Sequence, residues 1–533
     1  MDVSLLYPEN YGSGERDAHR MKNYDFIQAL SIDTMIVIEN DTFRGLPLLR
    51  LEDFYSTDPA VISYRLDVVE ELLQDNGIEK MFLDVIPMIR YIFDMNKALS
   101  SDFSVDTALS SIKILENYVE VTDRFYETLR NTDVTSAGLT ALKKMITETA
   151  ESDEFRNLKE DISKTETDFN TLKSVTIGVN LDENLQVESA GIVSINRKPF
   201  RPGTLIDHIT GHADKDPWTL MTMLYSARRG KALADFQSLD KSVGYAIQSI
   251  YEAGVKSFEP IIQKYYAVNT SVYVRLFADL RVLTAVVQFI QEMRQRGLEM
   301  VKPEIAPVEA KQCRLQGVYN VSLARSNVEE QIVANDFTFD ENGRFYILTG
   351  PNHGGKSIFA YSIGMAQALF QLGCFVPAHA ARISPVTGIF THFPSSDADN
   401  FGKGRLESEC DRLSTILRKL TDTDMLLMDE SFSSTSALEA SYIAQEVLIG
   451  IGVTGCGGIF VTHIHDLCEQ TAVFNGYPGN RGKIDNLAAV MQSGESGKRS
   501  YRIRRIKPDG LSYARDIADR YGLNFTDHNS FRQ

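Results

Sequence analysis

Hydrophobic positions recur at helical spacing from Pro59 onward. Asp58-Pro59 reads as a helix start, and the stretch Tyr64–Leu73 is amphipathic. Short apolar runs at Met35–Ile38 and Leu46–Leu51 precede it, residues 104–129 continue as helix, and residues 261–297 form further helices ending near Gly297. A long, charged helical stretch is expected from about Leu139 to Leu172. Within it Phe155, Leu158, Ile162, Phe169 and Leu172 follow an a/d spacing, with Thr165 in the one polar slot. Phe236, Leu239, Val243, Ala246 and Ile250 repeat that spacing. Two such stripes predict an antiparallel helical arm, with a compact bundle as the alternative. At 1.5 Å per residue a helix of that length reaches about 50 Å.

The pattern switches to alternation between the stripes. Val175–Leu181 and Leu185–Ile195 flank Asp182-Glu183-Asn184, which predicts a β-hairpin. Arg197, Lys198 and Arg201 follow it, and Arg228, Arg229 and Lys231 precede the returning helix; these are the best basic clusters for a phosphate backbone. Lys302-Pro303-Glu304-Ile305-Ala306-Pro307 breaks the periodicity and is the expected domain boundary. From about residue 311 strand candidates (Phe345–Thr349, Met425–Met428, Gly458–Thr462) alternate with helices. The fold expected is a mainly helical domain over 1–305, with a small β insertion near 175–200, followed by an α/β P-loop domain over 306–533.

The chemistry concentrates in that second part. Phe345–Thr349 runs into Gly350-Pro351-Asn352-His353-Gly354-Gly355-Lys356-Ser357 and then a helical stretch, Ile358–Leu372. A glycine-rich loop between strand and helix lets backbone N–H groups close on phosphate oxygens. Lys356 is expected to reach the β/γ-phosphates of a nucleoside triphosphate, and the Ser357 hydroxyl to ligate Mg²⁺. His353 is expected to point away, because backbone groups do the cradling. About 70 residues on, an apolar strand ends in Asp429-Glu430: Asp429 is placed to complete the Mg²⁺ site and Glu430 to polarise the attacking water. His463 stands at the end of a third strand, where ligand crevices open, within reach of a γ-phosphate; His465 is a weaker candidate.

Composition narrows the partners. With 43% hydrophobic and 10% aromatic residues, the 533-residue chain is an ordinary folded protein. No apolar run approaches the 18 residues a membrane span needs, and the N-terminus carries no secretion signal. Five scattered cysteines fit reduced thiols in a cytoplasm. The net charge of −17 argues against bulk attraction to nucleic acid, so any DNA contact must be local.

These residues carry a family resemblance. Thr349–Ser357 resembles the Thr-Gly-Pro-Asn-Met-Gly-Gly-Lys-Ser loop of the MutS DNA mismatch-repair ATPases, with His353 in place of Met. Leu427–Glu430 with Thr435-Ser436 is similar to that family's Asp-Glu strand and following turn, although Phe432-Ser433-Ser434 depart from Gly-Arg-Gly. Val461-Thr462-His463 resembles its Ala-Thr-His switch. Gly510–Ala518 resembles the helix that ends its ATPase domain, and Arg65–Leu72 its core-domain entry. The resemblance implies a helical core/lever domain followed by an ABC-type ATPase that binds ATP and Mg²⁺. It also implies a homodimer formed through the ATPase domains, each nucleotide completed by the partner's signature segment. Here that segment is Gly402–Glu409, ahead of a helix from Cys410, with Gly404 at the expected serine position. The chain begins almost at the helical core, so no mismatch-reading wedge is expected, and Phe125-Tyr126-Glu127, which matches Phe-x-Glu in letters, is read as packing. The function implied is a DNA-binding clamp that is backbone-directed and structure-selective. The alternative is a mechanical ATPase acting on a protein partner without DNA.

Overall fold

The computed structural model describes residues 3–9, 11–38, 48–98, 105–170, 174–181, 183, 187–196, 264–265, 270–326, 332–351, 353–394, 404–491 and 499–507. Several expectations lie outside the described residues: the returning stripe Phe236–Ile250, the basic clusters at 197–201 and 228–231, Asn352, Gly402-Lys403 and Gly510–Ala518.

The first helix starts where Asp58-Pro59 predicts. α1 (Pro59–Gln74) is capped by the Asp58 carboxylate, which accepts from Ala60 N at 2.8 Å. Its Val61, Ile62, Leu66, Val69 and Leu72 are buried, at about 2 kcal/mol each. α2 (Asn76–Ala98) and α3 (Val105–Arg130) pack side by side, and α4 (Ala137–Ala150) packs on α3. Phe125 on α3 is fully buried, its ring stacked 6.0 Å from Tyr273, so the phenylalanine of the Phe-x-Glu triplet is core packing while Glu127 faces outward, exposed.

The stretch from Leu139 to Leu172 is not one helix. α4 ends at Ala150 and α5 (Asp153–Asn170) begins after a break. The Glu151 N–H closes α4 on Thr147 O, and Ser152 Oγ accepts from Phe155 N at 3.1 Å, so a side chain competes with the helical ladder at the junction. Phe155, Leu158 and Ile162 are buried as the stripe requires. The hairpin is present: β1 (Ser174–Leu181) pairs antiparallel with β2 (Val187–Asn196). α6 (Ser271–Gln295) then returns across α1 and α2, ending ahead of Gly297 at φ +76.

Two sheets follow. A four-stranded sheet has the order β3 (Glu304–Ile305), β7 (Ala380–Ile383), β4 (Cys313–Val318), β5 (Asn335–Thr338). A six-stranded sheet has the order β12 (Arg499–Arg504), β11 (Ile484–Met491), β6 (Phe345–Thr349), β10 (Gly457–Val461), β9 (Met425–Asp429), β8 (Ile389–His392). Every pair in it is parallel except β11–β12. Its central strands are buried throughout, as a parallel sheet covered on both faces demands. α7 (Lys356–Leu372) covers one face and α9 (Ala437–Thr454) lies against the other core. α8 (Arg405–Leu417) starts five residues earlier than expected, because extended Gly404 serves as its N-cap and Glu407 complements the positive end of its first turn.

One apolar core runs from α1, α2 and α6 into α7. Arg65, 1% exposed, sits at this junction: its guanidinium donates to the Leu6 and Phe54 carbonyls and lies over the Tyr7 ring. Gly373, at φ +85, ends α7 against Arg65, where a Cβ would fall 2.5 Å from Arg65 Cβ. Lys22 reaches fully buried Asp424 at 2.8 Å, fastening the N-terminal segment to the sheet.

Candidate nucleotide site

Adjacent parallel strands β6, β10 and β9 end together, so the residues that follow them meet at one edge of the sheet. The ladder continues past the strand ends, with Thr462 N donating to Leu348 O and Glu430 N to Val461 O, which fixes the relative height of the three loops.

The loop after β6 is built by its glycines. Gly350 has φ +138, and a Cβ there would meet Ala489 Cβ at 2.8 Å; a Cβ on Gly354 would meet Pro351 O at 2.9 Å. Gly355, at φ +84, is the N-cap of α7, so the helix N-terminus opens onto the loop. The Lys356 ammonium lies folded back along the loop, donating to Gly350 O and Pro351 O at 3.0 Å each. Burial pushes its pKa down, against the opposing charges of Glu430 and Asp429. His353 is exposed, in the left-handed region at φ +57.

Asp429 meets this helix directly. Ser357 Oγ donates to one carboxylate oxygen at 2.9 Å, and the Tyr361 hydroxyl donates to the other at 2.8 Å. Burial raises the Asp429 pKa while these two hydrogen bonds work to lower it. Tyr361 was not anticipated from the sequence; its position one helical turn after Ser357 is the signal that could have found it. Ser357 and Asp429 are hard oxygen ligands of the kind Mg²⁺ takes, one hydrogen bond apart beside the phosphate-type loop, so the donor set fits that ion.

Glu430 lies beyond the end of β9 with φ +47, and Phe432 follows at φ +68. Non-glycine residues in the left-handed region cost about 1–3 kcal/mol each and mark backbone held by its surroundings. The Glu430 carboxylate accepts from or pairs with His463 Nε2 at 2.9 Å, and both side chains are 42% exposed. Asp429, Glu430, His463, Lys356 and Ser357 are therefore brought to one edge. His465 stands beside them, half-buried, its pKa lowered by burial. Tyr319 is buried, and its hydroxyl donates to Glu299 O.

Comparisons with known proteins match two separate stretches of the chain. The family model described as MutS domain V matches residues 346–488, and that described as MutS2 N-terminal domain matches residues 57–296. A DNA mismatch repair protein MutS from Prochlorococcus marinus (strain MIT 9312) is 33% identical over 174 residues, covering 31% of this chain and 19% of that protein. One from Petrotoga mobilis is 35% identical over 156 residues, covering 29% and 19%. One from Chlorobium limicola is 32% identical over 196 residues, covering 37% and 22%. The chain spans about a fifth of the length of these curated relatives. No helix among the described residues is long and apolar enough to cross a membrane. With a helical part matched by one MutS-type model and a sheet-bearing part matched by another, the chain belongs to the MutS family.

Proposed function

We propose that this chain is an ATPase that binds ATP with Mg²⁺, dimerises through its 306–533 domain and acts as an ATP-driven clamp on DNA in repair or recombination. The observation that carries the reading is the contact of Ser357 with Asp429 beside a phosphate-type loop, with Glu430 and His463 paired at the same edge. In this account Gly350–Ser357 cradle the triphosphate and Lys356 swings from the loop carbonyls to the β/γ-phosphates. Ser357 and Asp429 hold Mg²⁺, which supplies charge neutralisation on the phosphate oxygens. Glu430 polarises the attacking water, and His463 orients Glu430 and reads the γ-phosphate. Phosphoryl transfer asks little more of a protein than positioning and electrostatics, and these residues provide both.

Residues 1–305 then serve as the core/lever part, with α5 as the described portion of an arm whose position follows nucleotide state. Backbone-directed, structure-selective binding falls to local basic clusters, because the chain as a whole is acidic at −17. That acidity also favours a second reading, a mechanical ATPase gripping a protein partner. A salt series with duplex and branched DNA separates the two. The clamp reading predicts a falling linear plot of log K against log salt; no binding at low salt, or a slope near zero, supports the protein-partner reading.

A further inference from the structure

The turn after Glu430 is held from outside its own strand. Phe432 N donates to the Glu409 carboxylate at 3.0 Å, and Glu409 lies on the second turn of α8 with its side chain 13% exposed. The other carboxylate oxygen faces Arg405, one turn earlier, at 3.7 Å. A second strut runs beside the first. His392, at the end of β8 and 1% exposed, has Nε2 3.2 Å from the Glu409 carbonyl and Nδ1 2.7 Å from Ser431 Oγ. A carbonyl only accepts, so Nε2 carries the proton, Nδ1 is the acceptor and the Ser431 hydroxyl donates to it. Arg412, one turn on, donates to Phe393 O, tying α8 to the end of β8.

The held segment is strained. Glu430 and Phe432 both occupy the left-handed region, with Ser431 between them, and the Phe432 ring is locked in the core that α8 shares with β9. Backbone of this kind relaxes unless its surroundings over-determine it. Beside the Glu430 N bond to Val461 O and the His463 pairing, Glu409 and His392 are the polar groups that hold it from α8 and β8.

We infer that Glu409 and His392 are positioning residues: they clamp the Ser431–Phe432 turn to α8, through the Ser431 hydroxyl and the Phe432 N–H, so that the aim of Glu430 depends on where the N-terminal end of α8 sits. This rests on the reading of Glu430 as the water-polarising group. It adds a cis role to Glu409, which the sequence alone groups with a segment acting across a dimer. The N-cap Gly404 and Arg405 to Ser408 of the first turn precede Glu409, so a displacement of that helix end by a second copy reaches Glu430 through one carboxylate.

The test compares the full chain with E409A, E409Q and S431A. It reads hydrogen exchange of the peptide spanning 430–434, ATP dissociation constants, and single-turnover hydrolysis with Mg²⁺. E409A is expected to speed exchange at 430–434 and slow hydrolysis about 10–100-fold, the loss of one hydrogen bond to a charged group, while ATP affinity stays within about twofold. E409Q keeps an oxygen for Phe432 N and is expected to recover to within about threefold of wild type. S431A, which removes the hydroxyl bound to His392, is expected to slow hydrolysis with affinity kept, and decides the matter if E409A does not fold. Unchanged exchange or unchanged hydrolysis in E409A, an E409Q as slow as E409A, or an ATP affinity that falls in step with hydrolysis overturns the inference. A wild type that binds no ATP refutes the functional reading and this role with it. A wild type that turns over beside an equally fast S431A refutes the positioning role alone.

Discussion

His392 offers a sharp test of how the strained turn is held. Its ring is buried at the end of β8, and its pKa is pushed from 6.5 to about 4. Burial is the main cause; the nearby Arg412 charge adds to it, and the hydrogen bond to the Glu409 carbonyl opposes it. The Glu409 carboxylate and Arg405 complete the charged surroundings on α8. Above pH 6.5 the ring is neutral in both folded and unfolded chains, and its contribution to stability is intact. As the pH falls, the unfolded chain takes up a proton that the folded one refuses, so stability drains away between 6.5 and about 4. At about 1.4 kcal/mol for each pH unit separating the two pKa values, the full loss is about 3 kcal/mol, most of it complete by pH 4.5. His392→Gln removes the titrating group. Urea unfolding followed by circular dichroism, at steps from pH 7.5 to 4.5, gives the difference between wild type and variant. That difference is expected to shrink by about 2–3 kcal/mol in favour of the variant on acidification. Parallel acid limbs for the two proteins would refute the claim that this imidazole is held neutral.

Three further outcomes follow from the geometry. Lys356→Ala removes the ammonium that the loop carbonyls hold, and ATP affinity by equilibrium binding is expected to fall at least about 100-fold with little change in melting temperature. Gly458→Ala places a methyl 2.0 Å from Leu426 O in the middle of the sheet; a loss of about 3 kcal/mol or more, read as a drop in melting temperature, is expected. Asp424→Ala strips a fully buried carboxylate of its bonds from Lys22, Thr387 and Thr421, at a cost of about 2–4 kcal/mol in thermal or urea unfolding.

The parts of this molecule that were legible in the sequence are those whose signal is local. The phosphate-type loop is written in the spacing of Gly350, Gly354, Gly355 and Lys356, and the left-handed φ of Gly355 shows why glycine is favoured there. Asp58-Pro59 marks a helix start through one side chain and one ring, and the buried strand β9 is a continuous apolar run. Interruptions carried by a single side chain were harder: the junction at Ser152 breaks the helical stretch expected from Leu139 to Leu172, and the a/d stripe, which begins at Phe155, lies wholly after it. Least legible were pairings between distant segments. The Tyr361–Asp429 contact is signalled only indirectly, by the place of Tyr361 one turn after Ser357, and nothing near Glu409 announces Phe432, because each contact exists only once the sheet brings its strands together. Charge told little about Asp424 and Lys22, which are about 400 residues apart and meet only in the folded chain.

The central claim is that nucleotide bound at the edge formed by β6, β9 and β10 joins two copies of the chain. It is tested most directly by the mass of the Glu430→Gln variant in solution, a substitution that keeps Asp429 and Ser357 while slowing hydrolysis. Sedimentation or light scattering with saturating ATP and Mg²⁺ is predicted to give a dimer that dissociates when ATP is withdrawn. A monomer at every nucleotide concentration would contradict the account.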